Sequence, residues 1–186
     1  MSRRDELLQT AIHLFRKNGF HTTGIEMLLK ESGVSKPTLY RHFASKEALI
    51  VAALKQWDVE ARAWLIGAMR SRGKTPRDHL LALFDVLQDW FEQPDFQGCL
   101  FINATVEFAD QGNSIHQTAL EHKKRFAAEV REIVALAGAT TPADLTSALM
   151  LLMDGAIVTA HTTGRSDAAV QAKAIASNLI DQSLEP

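Results

Sequence analysis

The stretch SGVSKPTLYRHFASKEALI, residues 32–50, constrains the fold more than any other part of the sequence. Ser35 precedes a lysine and a proline, and Ser45 precedes a lysine and a glutamate; both patterns are typical of a helix N-terminus. Gly33 can adopt the positive φ that ends a preceding helix in a sharp turn. The stretch therefore predicts two short helices joined by a tight turn, with a further helix directly after them.

Two short helices joined by a glycine turn, braced by a helix before them, form a helix-turn-helix whose second helix can enter the major groove of DNA. Lys36 can donate to guanine O6 or N7 or to a phosphate, and Pro37 can contact a thymine methyl group. Thr38 can bind either a base or a phosphate. Three side chains farther along the sequence have polar groups suited to contacts with phosphates: Tyr40, His42 and Lys46.

Apolar residues recur at helical spacing along the rest of the chain, and almost nothing has the alternation of a strand. The first helix is expected at about residues 3–17, and Thr23 is expected to cap the second. Thr75 and Pro76 predict the start of a fifth helix, and a sixth is expected at roughly residues 99–110. The pattern predicts an all-α fold with about nine helices.

Charge divides the chain into two parts. Residues 1–56 contain nine basic and five acidic side chains, a net charge of +4, and the whole chain has a net charge of −2, which leaves −6 for the remainder. A basic N-terminal part and an acidic body indicate two functions on one chain. We therefore predict a three-helix, helix-turn-helix DNA-binding domain at residues 1–46, and a helical ligand-binding and dimerisation domain at residues 47–186.

The segment AIHLFRKNGFHTTGIEMLLKESGVSKPTLYRHFASKEALIVAAL, residues 11–54, resembles the TetR family of bacterial transcriptional repressors, most specifically in GVSKPTLYRHFASKEAL. The sequence departs from the family pattern at Leu29, where members usually have alanine, and at Glu26 and Met27, which add no basic group to the second helix. The DNA contacts that the resemblance implies are Thr23, Lys36, Pro37, Thr38, Tyr40, His42 and Lys46.

Beyond residue 55 the resemblance is looser, and it covers the helix count and the segments GCLF and LLMDGAIVTAH. It implies a divergent ligand-binding and dimerisation domain. Two helical stripes of mostly small side chains support a dimer, because small residues let helices approach closely and pair with their copies across a two-fold axis. Packing of these stripes within one chain is the alternative. The stripe residues are Ala148, Leu152, Gly155 and Thr159 on helix eight, and Ala168, Ala172, Ile175 and Leu179 on helix nine.

An effector pocket is expected inside the acidic body, among helices four to eight. For each candidate the alternative is an ordinary structural role, because an aromatic side chain at helical spacing usually belongs to the core. The candidate wall residues are Trp57, Trp64, Phe84, Phe101, Asn103, Glu107, Asp154 and His161.

No motif of a nucleotide-binding loop, a zinc protease or a serine hydrolase occurs in the sequence, so we predict no enzyme and no cofactor. His116 and His122 are six residues apart and do not share a helix face, so we predict no metal site. A helical enzyme using unmarked carboxylates, or an interaction module without an effector, remains an alternative class. With no secretory signal or membrane span evident, we predict a cytoplasmic protein.

The sequence predicts a homodimeric, ligand-responsive transcriptional regulator, a repressor that a small-molecule effector releases from a palindromic operator in double-stranded DNA. Cys99 leaves one alternative open. The start of a helix can lower the pKa of a thiol, and GCLF resembles the context of family members that sense electrophiles or oxidants. In that alternative, Cys99 is the switch; otherwise it is a small core residue.

Overall fold

Nine α-helices form the chain over residues 2–184, the part that the computed structural model describes, and no strand lies in that part. The predicted all-α fold is confirmed. The helices are α1 (Arg3–Asn18), α2 (Ile25–Ser32), α3 (Lys36–His42), α4 (Lys46–Ser71), α5 (Pro76–Phe91), α6 (Leu100–Glu107), α7 (Ser114–Leu136), α8 (Pro142–Thr163) and α9 (Ala168–Leu184).

Polar side chains begin α4 and α5 as the sequence predicts. Ser45 Oγ accepts a hydrogen bond from the Ala48 N–H at 3.1 Å. At α5, Thr75 Oγ1 accepts from the Asp78 N–H at 3.1 Å, and the Asp78 carboxylate accepts from the Thr75 N–H at 3.1 Å. Such a capping box pairs N–H groups that have no partner within the helix, and a cap of this kind is worth about 1 kcal/mol.

The sixth helix is shorter than predicted. It ends at Glu107, because Phe108 leaves the helical conformation (φ −119°, ψ 70°) after its N–H bonds to the Ala104 carbonyl. The expectation that it continues to about Asp110 is wrong, and its early end leaves Glu107 in the last turn.

The described chain packs as two units, of which the first comprises residues 2–60 and 99–122. Its core contains Phe15 and Phe20 from α1 and the turn after it, and Phe101 from α6. The helix-turn-helix thus shares one hydrophobic core with α6 and the beginning of α7. The predicted boundary after residue 46 separates a DNA-binding function from a ligand-binding function, and it stays a prediction.

The second unit comprises residues 61–98 and 123–184. Within it α5, α8 and α9 pack against one another, and the α5 face of Leu80, Phe84, Leu87 and Phe91 is buried. Lys173 on α9 binds both carboxylate oxygens of Asp85 on α5 at 2.7 Å. Arg77 Nε on α5 donates to Asp181 Oδ1 on α9 at 2.8 Å.

The eighth helix is long and apolar enough to cross a membrane, judged by length and composition alone. A core helix of a soluble protein meets the same criteria, and one face of α8 is buried in the second unit.

Candidate nucleic-acid interface

The turn between α2 and α3 has the geometry of a helix-turn-helix. Gly33 adopts the left-handed conformation (φ 65°), and its N–H bonds to the Leu29 carbonyl at 3.0 Å, so the chain reverses direction there. Val34 is buried under the turn, and Leu39 and Phe43 of α3 are buried in the core. These apolar contacts hold α3 so that its opposite face is exposed.

The exposed face of α3 begins at its N-terminus. Ser35 Oγ accepts a hydrogen bond from the Thr38 N–H at 3.4 Å and lies 2.9 Å from Thr38 Oγ1, which orders the first turn. Pro37 occupies a position where no backbone N–H is needed. The predicted DNA contacts that lie exposed are Lys36, Pro37, Tyr40 and His42, while Thr38 and Lys46 are partly exposed.

Thr23 requires a correction on two points. Its side chain is fully buried, and its hydroxyl donates to the Gly19 carbonyl at 2.7 Å. Gly24 stands at the N-cap of α2, where no side chain supplies a capping hydrogen bond. The predictions that Thr23 caps α2 and that it contacts DNA are therefore wrong, because its hydroxyl faces the end of α1.

Two charged residues of this face were not predicted as a unit. Lys36 Nζ lies 3.1 Å from Glu26 Oε1, and both side chains are largely exposed. The salt bridge thus joins the second residue of α2 to the first residue of α3. The only sign of this pairing in the sequence is that opposite charges stand on the two sides of a short turn.

The turn after α1 is held by a residue from the end of α6. Glu107 Oε1 accepts from the Phe20 N–H at 2.9 Å, and Glu107 Oε2 accepts from the His21 N–H at 2.7 Å. A Cβ at Gly19, whose φ is +81°, would come within 2.9 Å of Glu107 Oε1. We call the hydrogen bonds from the Phe20 and His21 N–H groups to this carboxylate the Glu107 contact.

Aromatic packing surrounds the Glu107 contact. The ring of Phe108 lies edge-on to Phe20 at 5.9 Å and against the His21 ring at 4.8 Å. His21 Nε2 also lies 3.0 Å from the Glu107 carbonyl oxygen. The last turn of α6 is therefore fixed to the turn between α1 and α2 by polar and aromatic contacts together.

Of the predicted effector residues, four lie in the first unit. Phe101 is buried and stacks on His122 with 3.5 Å between ring centroids, and His122 Nδ1 lies 2.8 Å from Asp58 Oδ1. Trp57 has the Arg16 guanidinium 4.7 Å from its ring centroid. Asn103 is half-buried on α6, and Glu107 holds the turn after α1.

The other four predicted effector residues lie in the second unit. Trp64 is 50% exposed and meets Trp90 edge-on, and His161 meets Phe96 edge-on. Phe84 is buried in the core, and Asp154 forms a salt bridge with Lys123. Their role in binding an effector stays a prediction.

Cys99 stands at the N-cap position of α6 and is half-buried against the core of the first unit. Its side chain supplies no capping hydrogen bond to α6. Within residues 2–184, no three histidine, cysteine or carboxylate side chains lie close enough together to hold a metal ion.

The predicted dimer stripes are only partly exposed. Ala168 and Ala172 are buried within the chain, so their prediction as interface residues is wrong: this side of α9 packs inward. Ala148, Leu152 and Leu179 are half-buried, whereas Gly155, Thr159 and Ile175 are exposed. The large apolar side chains exposed on the outer faces of these two helices are Leu151, Val158, Val170 and Ile175.

The fold and the exposed α3 face define the class of the protein: a helix-turn-helix DNA-binding regulator of transcription. A family model described as bacterial regulatory proteins of the tetR family matches residues 7–53. A second model, described as a tetracyclin repressor-like C-terminal domain, matches residues 76–176. The chain therefore belongs to the TetR family, whose members bind DNA and act as dimers.

Individual relatives agree with this assignment. The HTH-type transcriptional regulator YjdC of Escherichia coli K12 is 26% identical over 83% of this chain and 81% of its own length. The HTH-type transcriptional repressor NemR of E. coli K12 is 32% identical over 58% of this chain and 54% of its own. The crystal structure of SCO4454, a TetR-family regulator from Streptomyces coelicolor, has a TM-score of 0.88 and 28% identity, with 98% of this chain and 96% of that one covered.

Proposed function

We propose that the protein is a homodimeric, cytoplasmic repressor that binds a palindromic operator and leaves it when a small-molecule effector binds residues 47–186. The exposed polar face of α3, in a chain of the TetR family, is the observation that carries the proposal. The match of residues 76–176 to a tetracyclin repressor-like C-terminal domain is what supports repression over activation. The family is one of DNA-binding regulators, which favours this function over catalysis.

Recognition begins at the first turn of α3. Lys36 would donate to base edges, while Tyr40 and His42 would contact phosphates from the same exposed face. A helix-turn-helix this short needs a second copy, because two recognition helices enter major grooves about 34 Å apart, one turn of DNA. The operator would therefore be palindromic, like the dimer that binds it.

The dimer would form through the outer faces of α8 and α9. Leu151 on α8 is 75% exposed, and Val158, seven residues later on the same face of α8, is also exposed, as is Ile175 on α9. Exposed apolar side chains that share a helix face mark an interaction surface. A Cβ added at the exposed Gly155 would meet nothing within 4 Å beyond the neighbouring backbone of α8, so a partner helix could approach closely there.

Effector binding would act on the DNA-binding helices through α4 and α6. The fourth helix is one continuous element of 26 residues, about 39 Å long, that begins directly after the helix-turn-helix. The Glu107 contact fixes α6 to the turn between α1 and α2. An effector that favours a different spacing of the two recognition helices by about 1–3 kcal/mol would change operator occupancy 5- to 150-fold.

The direct test selects bound fragments from random DNA and then screens small molecules for release of the selected site. We expect a palindrome, and we expect Tyr40→Phe to weaken binding to it by about 2- to 10-fold, the value of one hydrogen bond. Helicity and dimerisation of the variant should match the wild type. Sequence-independent binding by the wild-type protein would contradict the proposal.

The alternative switch is Cys99. Its half-buried position at the first turn of α6, the helix that contributes Glu107, would let a modified thiol disturb the Glu107 contact. Operator release by a mild electrophile or peroxide, compared between wild type and Cys99→Ser, decides between the two. Release that disappears in the serine variant would make Cys99 the switch, and equal behaviour would leave it as a packing residue.

A further inference from the structure

The salt bridge between Glu26 and Lys36 joins the two helices of the helix-turn-helix on their exposed side. The carboxylate lies 3.1 Å from Lys36 Nζ, and not against Lys30, which stands four residues after Glu26 on the same helix. Spacing of four residues is the usual one for a helical ion pair. The pairing across the turn therefore places one negative and one positive group side by side at the start of the recognition helix.

Lys36 occupies an unfavourable place for a cation. It is the first residue of α3, where the helix dipole is positive, and α3 has no acidic residue in its first turn. The Glu26 carboxylate compensates for this and draws the ammonium group toward α2. An exposed ion pair of this kind adds little to stability. It brings a donor and an acceptor side by side, with 3.1 Å between Lys36 Nζ and Glu26 Oε1.

We propose that Glu26 and Lys36 together read one G·C base pair of the operator, an inference that rests on the proposed function. In the major groove, guanine presents the acceptors N7 and O6, and cytosine presents the N4 amino donor. Guanine O6 and cytosine N4 are hydrogen-bonded to each other, so they lie about 3 Å apart. Lys36 donates to O6 and N7, and Glu26 accepts from N4, with nearly the separation that the two side chains already have.

An A·T pair is a poorer partner for the same two groups. Its amino donor, adenine N6, stands beside the acceptor N7, which repels the Glu26 carboxylate. Its acceptor, thymine O4, stands beside the thymine methyl group, which restricts the approach of Lys36. The pair thus favours guanine on one strand and cytosine on the other, in one orientation only.

The test compares operators selected from random DNA by the wild type, Glu26→Ala and Lys36→Met. Glu31→Ala is the matched control, because Glu31 is an exposed carboxylate on the same helix, outside this salt bridge. We expect the wild type and the control to require G·C at one position in each half-site. In Glu26→Ala and in Lys36→Met, that preference should fall by about 5- to 100-fold, with the other positions unchanged. Alanine favours helix, so α2 should remain folded, which circular dichroism would check.

Salt dependence separates base reading from simple phosphate attraction. A Lys36 that contacted only phosphate would, when replaced by methionine, weaken binding to all sequences and lower the salt slope by about 1. That result would overturn the inference, while the proposed function, binding to a palindromic operator, would still hold. An unchanged base preference in Glu26→Ala would also overturn it. If the wild type selects no site at all, both the inference and the proposed function are wrong.

Discussion

The two packing units differ in one of the polar contacts that connect their helices. In the first, a single carboxylate, that of Glu107, accepts hydrogen bonds from the backbone N–H groups of Phe20 and His21, which lie far from it in the sequence. In the second, exposed side-chain pairs such as Arg77 with Asp181 connect α5 to α9. A backbone N–H group that loses its partner inside the protein lowers the free energy of unfolding substantially. The loss of an exposed ion pair lowers it little, because water solvates the separated charges. The first unit should therefore be the more sensitive to single polar substitutions.

The largest effect is expected for Glu107→Ala. Removing the carboxylate leaves the Phe20 N–H without its partner beside a fully buried ring, and the free energy of unfolding should fall by about 2–3 kcal/mol. Glu107→Gln is the matched control, because it keeps one acceptor oxygen, and it should cost about half as much. Urea denaturation followed by circular dichroism measures both. Equal stability of wild type and Glu107→Ala would remove the contrast between the units.

The second unit should respond to Gly155→Leu in assembly rather than in folding. Apart from the neighbouring backbone of α8, nothing lies within 4 Å of a Cβ added there, so the subunit should fold normally. Across the proposed two-fold axis the new side chain would clash, and the dimer dissociation constant should rise tenfold or more, at least about 1.4 kcal/mol. Analytical ultracentrifugation measures this, with Gly155→Ala as the milder control. An unchanged dimer would place the interface elsewhere.

A smaller effect is expected for Asp181→Asn, which removes the charge that Arg77 binds. Both side chains are substantially exposed, so the loss should stay below about 1 kcal/mol and shrink further at high salt. Thermal unfolding at two ionic strengths provides the measurement. A loss as large as that of Glu107→Ala would show that the second unit depends on its ion pairs as strongly as the first depends on its carboxylate.

The smallest effect concerns the two capping boxes, one in each unit. Hydrogen bonds from Thr75 hold the pKa of the Asp78 carboxyl below its ordinary value, and those from Ser2 do the same for the pKa of Asp5. A lowered folded-state pKa means that the stabilisation is present above about pH 4 and is lost as pH falls through the folded value. The Tm difference between wild type and Asp78→Asn should therefore vanish in acid. A difference independent of pH would show that the charge does not matter.

The sequence predicted well those features whose cause is local. The turn at Gly33, the cap at Thr75 and the helix start after Ser35 each depend on residues within one or two helical turns, and all three are present. The recognition helix could be located for the same reason, because its N-terminal pattern, its turn and its apolar spacing lie in one short stretch.

Features that depend on distant packing were not predictable in this way. Glu107 has a charged side chain of the kind that can line a pocket. Only the fold brings it to a turn 86 residues earlier in the chain. Thr23 looks like a cap until α1 is placed beside it. Ala168 and Ala172 have small side chains on a regular stripe, and the side of α9 that packs inward depends on α5 and α8.

The two N–H groups that donate hydrogen bonds to Glu107 allow the conformation of the protein to be followed directly. Amide protons held in hydrogen bonds exchange with solvent only when those bonds open. In hydrogen–deuterium exchange, the peptide containing Phe20 and His21 would report whether α6 stays bound to the turn after α1, in the free protein, on DNA and with effector. These two N–H groups are bound to Glu107 and not to any residue of α3, so their exchange rate would distinguish a rearranged protein from one whose DNA-binding surface is merely covered.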